Sequence, residues 1–260
     1  MNELKQKLMN IPVIGSLSIK LYEKFFRNNI PSTWVEKYLN NSDVTIIQIG
    51  SNDGKTGDPI FQLINKRKKW KAIFVEPVPY LYARLKANYG LNPRFIFENV
   101  AINDGSEQIF YAVKSTAKDA YPDLPSWFDQ LSSFNRDNII NHLNGKLEPF
   151  IEEITLQGLT LHGLFLRNSI DFIDLLHIDT EGYDWKVLSQ LQFDKLKPTL
   201  ILFEHKHLTL AEKQQSLEFL NKNYCVFDFG SDYLAIKNNI IKGKDLNKIG
   251  HKMITQSNIV

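Results

Sequence analysis

The residues best equipped for chemistry stand at the ends of apolar runs. Gly50-Ser-Asn-Asp-Gly54 closes the run Val44–Ile49, and Glu76 closes Ala72–Val75. Asp179 and Glu181 follow Ile170–Ile178, and Glu204-His-Lys-His207 follows Thr199–Phe203. Glycines at 50 and 54 permit positive φ and close approach of a ligand to the main chain. A helix over Lys55–Lys66 would turn its free N–H groups toward that turn and seat the polar part of a nucleotide-like ligand. An ordinary strand-to-helix turn with two glycines is the bland alternative. Glu76 stands where a carboxylate reaches both hydroxyls of a ribose held at the first turn.

The runs themselves set the frame. Val44, Ile46, Ile47 and Ile49 have the composition of a strand buried on both faces, as in a parallel sheet. Further strands are expected at Ala72–Glu76, Phe95–Ala101, Gln108–Val113, Ile151–Gln157, Ile170–Ile178, Thr199–Phe203, Cys225–Phe229 and Tyr233–Ile236. Asp104-Gly105 reads as a hairpin turn into Gln108–Val113. Helices are expected at Leu17–Arg27, Ser32–Leu39, Pro79–Tyr89, Leu159–Leu166 and Leu210–Asn221, with another through Val187, Leu188 and Leu191. Strands alternating with helices make an α/β domain whose sheet is mostly parallel. In such sheets ligands bind outside the carboxyl ends of the strands, so Glu76, Asp179 and Glu204 can converge on one crevice. Residues 1–40 read as an N-terminal helical extension and 41–237 as the domain. The polar, aperiodic stretch from 238 to 260 reads as a tail, partly disordered. Residues 114–149 interrupt the alternation as a loop-rich insertion whose aromatics argue against disorder, which suits a substrate lid or pocket wall.

Composition narrows the class. At 260 residues and 43% hydrophobic, the chain suits one α/β domain with extensions, and a net charge of +2 is too small to make nucleic acid the main partner. A single cysteine, Cys225, excludes an internal disulfide framework and reads as a core thiol in a reducing, cytoplasmic setting. No apolar stretch reaches transmembrane length, although Leu17, Leu21 and Phe25 beside Lys20 and Lys24 could make a peripheral membrane contact. A helix packing on its own domain is the simpler use of that face. Oligomeric state is not legible.

Four motifs in order carry a resemblance. Ile-Gly-Ser-Asn-Asp-Gly, Val-Glu-Pro, Asn-Val-Ala-Ile and Ile-Asp-Thr-Glu-Gly-Tyr-Asp, spread from about Val44 to about Glu204, resemble the FkbM family of S-adenosylmethionine-dependent methyltransferases. The resemblance implies a class I methyltransferase, Rossmann-like fold: a seven-stranded, mostly parallel sheet with helices on both faces. It implies methyl transfer to a hydroxyl oxygen of a sugar or similar small metabolite, possible in surface polysaccharide or glycoconjugate synthesis. Gly50, Ser51, Asn52 and Gly54 would line the methionine part of S-adenosylmethionine. Glu76, next to Pro77, would hold the ribose, and Asn99, Ala101 and Ile102 would border the adenine. Asp179 and Glu181 would face the reacting centre. The family usually has aspartate where this chain has Gln48, so support for the cofactor's ammonium falls to Gln48 or to Asp53.

Abstracting a proton from a weakly acidic hydroxyl calls for a base within hydrogen-bond reach. Asp179, His205 and His207 are the candidates, histidine being the better match to neutral pH. Equally, Asp179 could cap the next helix and the histidines could be loop residues. Asp179, Glu181, Glu204, His205 and His207 carry donors that suit magnesium, manganese or zinc, but their spacing matches no metal signature and none is assigned as a metal ligand. His177 reads as a buried, satisfied histidine, and His142, His162 and His251 carry no signal. Tyr121, Trp127 and Phe128 suit stacking on the sugar faces of a small-molecule or glycan acceptor, or packing of the insertion. A nicotinamide-dependent oxidoreductase is disfavoured because the first turn lacks Gly-x-Gly-x-x-Gly spacing. A catalytically silent binding module is the third possibility.

Overall fold

The computed structural model describes residues 28–39 and 43–254. The expected helix at Leu17–Arg27 and its apolar face lie outside them. Seven strands form the main sheet: β1 (Val44–Ile49), β2 (Trp70–Val75), β3 (Phe95–Glu98), β7 (Leu175–Ile178), β8 (Leu200–Glu204), β9 (Tyr224–Asp228) and β10 (Asp232–Lys237). Their order is β3-β2-β1-β7-β8-β10-β9, with β10 antiparallel to both of its neighbours and the other pairings parallel. The order reverses between β1 and β7, and a crevice opens there at the carboxyl ends of the strands.

Both faces of the sheet are covered, as the unbroken apolar runs require. Ile47, Ile49, Leu176, Ile178, Ile201 and Phe203 pack on one side with the helices Leu161–Arg167, Asp184–Leu188 and Leu210–Asn221. Ile46, Phe74, Leu175, Leu200 and Leu202 pack on the other with the helices Pro31–Leu39, Phe61–Lys66 and Pro79–Tyr89. Among the described residues no helix is long and apolar enough to cross a membrane.

A second, three-stranded sheet comprises β4 (Ala101–Ile102), β5 (Glu107–Val113) and β6 (Ile151–Leu159), in the order β4-β6-β5. It corrects the expected strand Phe95–Ala101, which breaks after Glu98 and continues in the other sheet. Asp104-Gly105 therefore does not join a hairpin: the antiparallel partner of β5 is β6, beyond the whole insertion. The insertion is compact. Val113, Ala117, Leu124, Phe128, Leu131, Ile139 and Leu147 form its own core. Tyr80 Oη donates to the carbonyls of Val113 and Asp129, and Arg84 pairs with Asp129 at 2.7 Å, fastening the insertion to the Pro79–Tyr89 helix.

Two other expectations change. The helix after the first turn spans only Phe61–Lys66. Asp53 Oδ1 accepts from the amides of Lys55 and Thr56, and Asp58 Oδ1 from that of Ile60, which holds this stretch in turns. The helix N-terminus is thus removed from the glycine turn. The tail, expected aperiodic, carries a helix at Gly243–Ile249. Ile249 is buried in the main core, and the buried carboxylate of Asp245 binds Lys37 Nζ and Tyr38 Oη of the Pro31–Leu39 helix. Those partners lie some two hundred residues upstream, beyond the reach of a local pattern.

Candidate active site

The crevice has two compartments. The first is an apolar slot lined by Val75, Glu76, Pro77, Val100, Ala101, Ile102, Phe110, Phe134 and Tyr183. Glu76 is 1% exposed; its Oε1 accepts from the Val78 amide and its Oε2 from the Asn52 amide at 2.8 Å. Asn52 adopts φ +49° to aim that amide. Each carboxylate oxygen keeps a lone pair for a further donor. Burial pushes the Glu76 carboxyl up to about 7, against those two hydrogen bonds. Asn99 does not line the slot: its amide donates to the carbonyls of Glu76 and Pro77 and braces the turn that carries the carboxylate.

The glycines serve the chain itself as well as any ligand. A Cβ on Gly50, at φ +77°, would fall 1.7 Å from the Asp179 carbonyl oxygen, so glycine is what lets the end of β1 touch the end of β7. A Cβ on Gly54 would strike Leu85 and Tyr89, so Gly54 faces a helix of its own domain. Ser51 Oγ donates back to the Gln48 carbonyl.

The second compartment, about 360 Å³, is more polar: Gln48, Asp58, Trp127, His142, His177, Asp179, Glu181, Glu204, Lys206 and His207 all line it. Asp179, Glu181, Gly50 and Asn52 line both compartments, so the two meet there. Near Gln48, two buried acceptors lack a donor, Gln48 Oε1 and Asp58 Oδ2. Burial raises the Asp58 carboxyl to about 6. Asp53, proposed from the sequence as an alternative support for a cationic group, is spent on its own loop. Oδ1 takes two backbone amides and Oδ2 takes Thr56 Oγ1.

The loop after β7 is held from both sides. Asp184, fully buried, accepts from the amides of Thr180 and Gly182. The Glu181 carbonyl accepts from Ser133 Oγ and from Asn138 Nδ2 at 2.7 Å, both from the insertion. Glu181 has φ +50°. Its Oε2 lies 3.4 Å from His207 Nε2, and Glu204 Oε2 lies 3.8 Å from the same nitrogen. Burial, then repulsion by Glu204 and Glu181, raises Asp179 well above the usual carboxylate range. Burial and Asp184 lift Glu181 to about 7; burial and Glu181 lift Glu204 to about 9. Burial, with Lys206 and His142 nearby, lowers His207 to about 4, leaving a neutral imidazole at pH 7.

The remaining sequence candidates scatter. His205 turns away from both compartments and stacks on Tyr233 at 3.6 Å, its Nε2 3.5 Å from Asp228. Tyr121 packs edge-on against Phe150 inside the insertion, whereas Trp127, 40% exposed, reaches the larger cavity. His177 is buried as expected but not satisfied, because Nδ1 has no partner. Asp58, His142 and Asn138 were missed. No spacing links them to the strand ends they approach, and only the Asp-Pro pair at 58–59 hinted at a structured turn.

The strand order and the single antiparallel strand of the main sheet, with a buried acid beside a slot at the switch point, are those of the class I methyltransferase fold. The family model described as "Methyltransferase FkbM domain" matches residues 48–231, and the chain belongs to that family of S-adenosylmethionine-dependent methyltransferases. No curated protein matches the chain. Similar solved structures include the plantazolicin methyltransferase BpumL in complex with SAH, 13% identical over 98% of this chain and 86% of that one, with a TM-score of 0.40. A precorrin-6y C5,15-methyltransferase from Geobacter metallireducens GS-15 is 11% identical over 78% and 85%, with a TM-score of 0.39. A chain of a fibrillarin/Nop5p complex is 9% identical over 75% and 73%, again at 0.39. Family membership sets the oxidoreductase reading aside.

Proposed function

We propose that the enzyme methylates a hydroxyl oxygen of a sugar or a similarly hydroxylated small metabolite. The observation that carries this is the junction at Asp179 and Glu181, where an apolar slot meets a polar cavity. The residues fit the cofactor. Glu76 has lone pairs left for two ribose hydroxyls, and Pro77, Ile102 and Phe134 line the slot that would take the base. Gln48 Oε1 and Asp58 Oδ2 are orphaned acceptors that suit an ammonium group. When bound, S-adenosylmethionine supplies a methyl already activated for transfer.

The chain's work is then to place one oxygen and move one proton. An acceptor in the larger cavity presents its hydroxyl to Asp179, and the proton passes to an ionised carboxylate of the Asp179 and Glu181 pair, since Glu204, at about 9, already carries a proton at neutral pH. Raised carboxyls are stronger bases than exposed ones, which brings their proton affinity toward the working pH. A cavity of about 360 Å³ shared with the methionine end leaves room for roughly one sugar ring, and Trp127 at its rim offers a stacking face. The insertion closes the cavity as a wall. Incubating the protein with methyl-labelled S-adenosylmethionine and a panel of nucleotide sugars and free glycosides should label a hydroxylated acceptor by base-stable ether formation. Trp127→Ala should raise KM for that acceptor about tenfold with kcat little changed, as expected for loss of one stacking contact. Base-labile ester labelling, or transfer only to nitrogen acceptors, refutes the reading.

A further inference from the structure

Three segments far apart in sequence bring metal-ligating groups to one point of the larger cavity. His142 comes from the insertion, Glu181 from the loop after β7 and His207 from the loop after β8. One ligand atom from each lies within 4.8 Å of the others, and Asp179, Glu181 and Glu204 form an overlapping set on the same criterion. We propose that this cluster binds a divalent first-row transition-metal cation, with His142, Glu181 and His207 as ligands and Asp179 and Glu204 beside it.

Two imidazoles and a carboxylate with open positions are a donor set for divalent manganese, iron, cobalt or zinc, more than for magnesium. His142 Nδ1 lies 2.6 Å from the Asn138 carbonyl, so Nδ1 carries the proton and Nε2 keeps its lone pair. That is how a ligating imidazole is normally oriented. Asn138 also holds the Glu181 carbonyl, so one residue positions two ligands. Glu204 Oε2 is buried without a hydrogen-bond partner, and the cavity floor carries another orphan in His177 Nδ1, on a side chain 2% exposed. Lys206 lines the cavity beside these carboxyls, and a bound divalent cation would favour their ionised forms.

The proposal rests on the methyl-transfer reading only for what the ion does: it would bind the acceptor's hydroxyl oxygen and lower its pKa, with the released proton taken by Asp179. Binding itself is tested without turnover. Full-length protein stripped with EDTA is titrated calorimetrically with MnCl2 and with ZnCl2, and separately with S-adenosylhomocysteine. One ion per chain should bind, and His142→Ala and His207→Ala should each weaken it at least tenfold. Neither substitution touches the slot, so unchanged S-adenosylhomocysteine affinity shows that the variants are folded. If neither ion binds, or if affinity survives both substitutions, the metal proposal is overturned while the methyltransferase reading stands. Loss of S-adenosylhomocysteine binding in the wild type would instead strike at the functional reading.

Discussion

Cofactor affinity should fall in acid through one residue, Glu76. Its carboxyl is buried with two backbone donors, and burial sets its pKa at about 7 in the free enzyme. Ribose hydroxyls need an ionised acceptor, so binding at pH 5.5 must first remove a proton. If only the ionised form binds, affinity for S-adenosylhomocysteine at pH 5.5 is roughly thirtyfold below that at pH 8. Glu76→Gln should bind weakly at both values, because its NH2 must face one of the two amides, and it should flatten the profile over this range. Stability of the free protein runs in the opposite direction. The folded pKa lies above the ordinary glutamate value of 4.5, so the folded state keeps a proton that the unfolded chain has lost. The favourable contribution is therefore complete below about pH 4.5 and is lost as pH rises through about 7, roughly 3 kcal/mol in all. Calorimetric titration from pH 5.5 to 8.5 with wild type and Glu76→Gln checks the binding, and urea unfolding without ligand checks the stability. A wild-type profile parallel to that of Glu76→Gln, or unchanged affinity in the variant, refutes the assignment.

Three more outcomes follow from the same geometry. Gly50→Ala should destabilise by more than about 2 kcal/mol in chemical unfolding, since the added carbon meets the Asp179 carbonyl at a positive φ. Asp58→Asn should weaken S-adenosylhomocysteine about tenfold by calorimetry, whereas Asp53→Asn should cost about 1 kcal/mol of stability and leave that affinity nearly intact. Equal effects on affinity would remove the distinction drawn between the two acids. Asp179→Asn should keep cofactor affinity within a few-fold and lower turnover by about 10². Wild-type turnover would pass the proton to His207 or Glu181, His205 being turned away from the cavity.

The sequence by itself determined the α/β alternation, the strand ends that carry the chemistry, and the family, because each is written in a short contiguous stretch. Val44–Ile49 running into Gly50, and Val75 running into Glu76, are local signals of a buried strand meeting a ligand. The sequence was also sufficient to place Asp179 at the crevice and to doubt Asp53 and Gln48 equally. What only the tertiary structure decided depends on residues with no spacing in common. The tail helix forms because Asp245 reaches Lys37 and Tyr38, and β5 pairs across an insertion and not across the Asp-Gly turn beside it. Asp53 folds back on its own loop while Asp58 keeps a free oxygen toward the cavity. His142, silent in sequence, meets Glu181 and His207, and His205, adjacent to the cluster in the chain, leaves it. Local patterns encode elements; which side chains share a cavity is set by how loops from different strands pack over one sheet edge.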